Sequence, residues 1–314
     1  MTTPSDTVAE TDPDPRASPP AALSTTRPLY WSVRRELWES RSIYIAPLIA
    51  AAVVLFGFAI STVNLPHNRR ALLALDPARQ GAIVAIPYDF AAMAIILTGF
   101  IVAIFYCLGA LHNERRDRGI LFWKSLPVSD LTTVLSKAAI PLIVLPLAVF
   151  VTVIATQLVM LVMSAVVLAA NGLSVGAPST PPLLQMSLVL LYGLGVIALW
   201  YAPIYGWLML VSGGARRTTF LWAFLPPLAL CLVEKIAFDS TNFASLLAYR
   251  LGGFWEAFTV HPRGGVGHAH PPQVGLAQLD PVGFLSTPGL WAGLAVAAAF
   301  LAAAVWQRRR REPI

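Results

Sequence analysis

Six long apolar runs, separated by short polar stretches, set the organisation of this chain of 314 residues. Residues 43–63 carry no charge over 21 positions, enough for a helix to cross a hydrocarbon core of about 30 Å at about 1.5 Å per residue. Residues 64–89, with Arg69, Arg70, Asp76 and Arg79, are expected to form a polar loop leading to a second run at 90–111. From 138 to 215 no residue is formally charged, and the turn-rich NGLSVGAPSTPP at 171–182 divides these 78 positions into a third run, 140–169, and a fourth, 183–211. Both are longer than a straight crossing needs, which predicts tilt or kinks near Pro141, Pro146 and Pro203. The fifth and sixth runs occupy 218–238 and 289–306. The pattern predicts an all-α integral membrane protein with six transmembrane helices.

Two domains follow from the chain before the first run. Residues 1–27 are rich in Pro, Ser, Thr and Ala, with Asp6, Glu10, Asp12 and Asp14, and no basic stretch precedes an apolar core. They are expected to be a disordered cytoplasmic tail rather than a signal peptide, and 28–314 the six-span domain. Within 29–41, Leu29, Val33 and Leu37 share one helical face, flanked by Trp31 and Trp38, with Arg34, Arg35, Glu36, Glu39 and Arg41 on much of the rest. This predicts an amphipathic helix lying in the headgroup layer; the plainer alternative is a cytosolic extension of the first span.

The one strongly charged segment between apolar runs is 113–137, NERRDRGILFWKSLPVSDLTTVLSK. It cannot lie in hydrocarbon. A short surface helix is expected over 115–126, ending before Pro127, and Ser129 or Asp130 is placed to cap the next helix. With both termini on the side of this segment, fourteen Lys and Arg flank that side of the spans and six the other. The positive-inside bias then puts the termini and the segment in the cytoplasm. The net charge of +6 is therefore topological and implies no nucleic-acid partner, and 57% hydrophobic with 12% charged residues excludes a soluble domain.

Chemistry-bearing groups are sparse. Runs one to four and six contain no Asp, Glu, Lys or Arg. Glu234 and Lys235 lie about 24 Å along the fifth, where they read either as a pair snorkelling to the interface or as part of a transport path. Trp200, Tyr201, Tyr205 and Trp207 in the fourth run suit either packing or a path for an apolar or amphiphilic cargo. His261, His268 and His270 in HPRGGVGHAHPP lack a Cys or a nearby acidic partner, His112 makes no HExxH pattern, and no metal site is expected. Cys107 and Cys231 read as packing residues. Gly289, Gly293 and Ala297 allow close backbone approach, within the chain or between copies. Residues 243–260, FASLLAYRLGGFWEAFTV, suit a helix or helix pair dipping into the outer interface. Lys124, Lys137 and Lys235 are preceded by Trp123, Ser136 and Glu234, so no Gly-Lys-Ser/Thr phosphate loop exists and the chain is not expected to hydrolyse ATP.

The amphipathic start, the six runs and above all Glu114, the basic run from Arg115 to Arg118, Gly119, Leu126-Pro127-Val128-Ser129 and Lys137 resemble the ABC-2 type permeases, membrane subunits of bacterial ATP-binding-cassette exporters. The resemblance implies that Glu114, Arg115, Arg116, Arg118, Gly119, Leu126 and Pro127 belong to a cytoplasmic coupling helix. That helix would dock on a separate, dimeric ATPase, which carries ATP and Mg; this chain would bind no cofactor. Trp31, Arg34, Arg35 and Trp38 would form the interfacial helix in contact with membrane lipids. Glu234, Lys235, Tyr201 and Tyr205 are candidate pathway or gate residues, and a second permease copy or a similar permease would complete the pathway in the bacterial inner membrane. The alternatives are a non-transporting anchor or sensor subunit, or an intramembrane enzyme, which the absence of paired ionisable groups in the runs disfavours.

Overall fold

Lipid offers no partner to a peptide N–H or C=O, so an uncharged run buried in it must close its hydrogen bonds within itself, and the helix does so. The structure, a computed structural model, describes residues 26–72, 76–116, 129–173, 181–215, 217–253, 276 and 279–310. Among the described residues it is almost entirely helical, with no strand. The helices are α1 (Thr26–Glu39), α2 (Ser42–Ser61), α3 (Leu65–Leu72), α4 (Pro77–Gly109), α5 (His112–Arg116), α6 (Asp130–Ala139), α7 (Leu145–Ala170), α8 (Leu183–Trp200), α9 (Ala202–Gly214), α10 (Thr219–Phe238), α11 (Asn242–Gly252), α12 (Pro281–Ser286) and α13 (Pro288–Arg310). Six helices are long and apolar enough to cross a membrane, carried by α2, α4, α6 with α7, α8, α10 and α13.

The expected polar loop at 64–89 is instead helical over most of its length. Helix α3 occupies its first part, and α4 starts at Pro77, thirteen residues before the apolar run. Proline at the first helical position has the right φ and no N–H to leave unsatisfied, so it starts the helix early. Helix interruptions fall beside Pro141 and Pro203, two of the three prolines expected to bend the long runs. Between α6 and α7, a π-turn at Ile140–Val144 takes up the extra residue around Pro141. The fourth run breaks at Tyr201, and Pro203 sits in the first turn of α9. Ser129 caps α6 by accepting a hydrogen bond from Thr132 N at 3.1 Å.

Helix α13 packs most extensively on α9, while α2 packs on α4 and α7. A methyl group at Gly206 of α9 would lie 3.2 Å from the Ala297 carbonyl oxygen, so the two backbones are nearly in contact. The core holds Trp200, Met209, Leu290 and Val134, while Phe56, Phe90, Phe105, Val151, Leu228 and Ile236 point outward. In α10 only Ala223 is buried. Such an apolar perimeter fits a lipid surround. Helix α1, the α4–α5 and α6–α7 junctions, the end of α9 and the end of α13 all meet at one end of the bundle.

Candidate functional site

Charged side chains at that end are drawn inward rather than left in water. Glu36 of α1 accepts hydrogen bonds from Lys137 Nζ at 2.7 Å and Tyr106 Oη at 2.9 Å. Glu114 of α5 pairs with Arg308 of α13, and its Oε1 lies 3.2 Å from Lys137 Nζ and 3.6 Å from Arg35 Nη2. Arg308 also donates through Nε to Asp130 of α6 at 2.9 Å. Glu36, Glu114, Lys137 and Arg308 are all buried. Glu36, Glu114 and Asp130 face Lys137, Arg308 and Arg35, the last shared with Glu39 at 3.2 Å, and this pairing of opposite charges is what makes burial of its members tolerable. The neighbouring backbone is satisfied as well: Ser212 Oγ accepts from Leu111 N and His112 N, each at 3.0 Å, and buried Arg115 donates to the Gly213 carbonyl at 2.9 Å.

The four buried members continue the apolar positions that precede them by about a turn. Glu36 follows Val33 by three positions, Glu114 follows Leu111 by three, Lys137 follows Val134 by three and Arg308 follows Ala304 by four. That register was readable from the sequence. It would have found Glu36 and Arg308, which the motif reading passed over, along with Asp130 and Tyr106.

Of the residues singled out in the sequence, the structure brings Glu114 and Arg115 into the interior and leaves Arg116 exposed. Arg118, Gly119, Leu126 and Pro127 lie outside the described residues, as do the three loop histidines. On α1, Val33 and Leu37 pack on the core while Trp31 and Trp38 are exposed, with Arg34 over both rings at 5.2 and 5.5 Å. Tyr201 and Tyr205 are buried beside Phe100, with ring centroids 4.9 and 6.4 Å away.

Glu234 and Lys235 do not pair with each other. Lys235 meets Asp239 at 2.6 Å, whereas Glu234 accepts from Ser240 Oγ, Asn242 N and Phe243 N, all at 2.8 Å, capping α11. Gly289 and Gly293 face Tyr249 and Arg250 of α11, and Ala297 faces Gly206, so the small-residue stripe is used for packing within the chain. A cavity of about 30 Å³ among Gly99, Phe100, Pro141, Pro146, Leu194 and Tyr205 is the size of one or two waters and far too small for a cargo molecule. No group of three His, Cys, Asp or Glu among the described residues is placed to hold a metal ion. Compared with family models, curated proteins and solved structures, the chain matches none.

Proposed function

We propose that this chain is the permease subunit of an ATP-binding-cassette exporter, a multi-pass protein of the bacterial inner membrane with both termini in the cytoplasm. The observation that carries this reading is that Arg308 contacts both ends of the basic connecting segment, Glu114 just before it and Asp130 just after. A force applied to residues 117–128 therefore reaches the last span directly, and reaches α1 through Lys137 and Glu36. A separate ATPase dimer, holding ATP and Mg, supplies that force, because the chain has no phosphate loop of its own. Helix α1, with Trp31, Arg34 and Trp38 outward, is the amphipathic helix resting on the membrane surface. The pathway forms between this chain and a second permease copy or a similar permease; the cavity beside Tyr205 is too small to take part in it.

The test is co-purification with the ATPase together with charge reversal of Arg116 and Arg118 to Glu. Arg115 is left in place, because its buried guanidinium holds Gly213. Loss of ATPase binding and transport with normal membrane insertion is the expected result; unchanged transport would sink the proposal. Retained ATPase binding without cargo-stimulated hydrolysis in the unsubstituted chain would instead favour an anchor or sensor subunit.

A further inference from the structure

At the opposite end of the bundle stands a cation with no carboxylate partner among the described residues. Gly289 and Arg308 are nineteen residues apart on α13, about 28 Å at 1.5 Å per residue. Against Gly289 lies Arg250 of α11, only 8% exposed. Its Nη1 donates to the Gly289 carbonyl at 3.2 Å, its guanidinium stacks 4.6 Å from the Trp200 ring, and its Nη2 is buried with no hydrogen-bond partner. No carboxylate pairs with it among the described residues, and burial lowers its affinity for its proton.

The position is built rather than accidental. Trp200 Nε1 donates to the Arg250 carbonyl at 3.0 Å, and Tyr201 Oη to the Leu251 carbonyl at 2.7 Å. Tyr249 meets the Trp200 ring edge-on at 5.4 Å. At Gly293 any side chain would overlap Arg250 Nη2, so the last span is hollowed at that point to admit the guanidinium. A helix-breaking glycine and two aromatic donors thus hold a five-donor cation whose side chain makes one hydrogen bond among the described residues.

We infer that Arg250 is an anion-binding residue, which takes a carboxylate or phosphate carried on an apolar body at the end of the bundle opposite the ion cluster. A planar guanidinium matches such groups bidentately, and the aromatic surroundings of Trp200 and Tyr249 favour an apolar body over a free ion. Two adjacent N–H edges are needed, and Nη1 and Nη2 now face the backbone of α13. Seating the anion therefore draws the guanidinium off Gly289 and Gly293 and loosens α11 from the last span. This inference does not depend on an ATPase partner.

Calorimetric titration of the full chain in neutral detergent with dodecyl phosphate tests it. Saturable binding is expected, weakened at least tenfold in Arg250→Gln and tightened in Gly293→Ala, where the added methyl has already displaced Nη2. The second variant keeps the charge and decides the matter should the first fail to fold. Two further arms identify the source of the anion. Binding suppressed, relative to neutral detergent, in phosphatidylglycerol or phosphatidylcholine nanodiscs assigns the site to a phospholipid headgroup phosphate; binding unsuppressed in both assigns it to a free amphiphile. No saturable binding to the unsubstituted chain, an unchanged affinity in Arg250→Gln, or an unchanged or weaker affinity in Gly293→Ala overturns the proposal.

Discussion

Lys137 Nζ lies 2.7 Å from Glu36 Oε1, 101 residues earlier in the chain, and both side chains are buried. The pair bolts α1 to the start of the third span. Removing one member leaves the other charged and desolvated, so Lys137→Met is expected to cost about 3–5 kcal/mol. Glu36→Gln combined with Lys137→Met should cost less than the sum of the two single changes, by about 0.5–3 kcal/mol. Unfolding of the purified variants in a common detergent checks this, and strict additivity would show the pair to be uncoupled.

Two helical glycines are expected to respond in opposite directions. At Gly206 a methyl would press on the Ala297 carbonyl oxygen and on Phe300 Cβ at 3.3 Å, so Gly206→Leu should destabilise by about 1–3 kcal/mol as α9 is pushed from α13. At Gly195 nothing lies within 4 Å, and Gly195→Ala should stabilise by up to about 1 kcal/mol through helix propensity alone. Thermal midpoints of the two variants, read side by side, settle the contrast.

The fifth span is entered through a strained residue. Thr218 has φ of 45°, a left-handed conformation that β-branched side chains disfavour. Thr218→Gly should relieve about 1 kcal/mol or more and raise the thermal midpoint. Asp239, at φ 46° on the other end of α10, tolerates that conformation better and also meets Lys235, so Asp239→Gly should gain less.

Glu234 is expected to control the order of α11. Its carboxylate takes the Asn242 and Phe243 amides that the helix itself leaves unsatisfied. In Glu234→Gln the amide presents one oxygen in place of two, and amide hydrogen exchange across 242–252 should accelerate while exchange in α13 stays unchanged. Equal protection in both forms would remove Glu234 from this role.

The six long apolar helices, and the interruptions beside Pro141 and Pro203, were legible in the sequence. They follow from charge-free length and proline position, which act locally along the chain. The early start of α4 was not legible as long as polar residues were equated with loop, although Pro77 carried the signal. Tertiary structure alone decided which charged residues meet. Glu36, Glu114, Asp130, Lys137 and Arg308 come from four separate regions of the chain, and only helix packing brings their ends within hydrogen-bonding reach. The same holds for Arg250, which in the sequence is one charge in an apolar stretch. Its isolation from any carboxylate among the described residues arises from the hollow at Gly293 and the Trp200 ring, because the cost of a buried charge depends on what surrounds it in space and not on its neighbours in the chain.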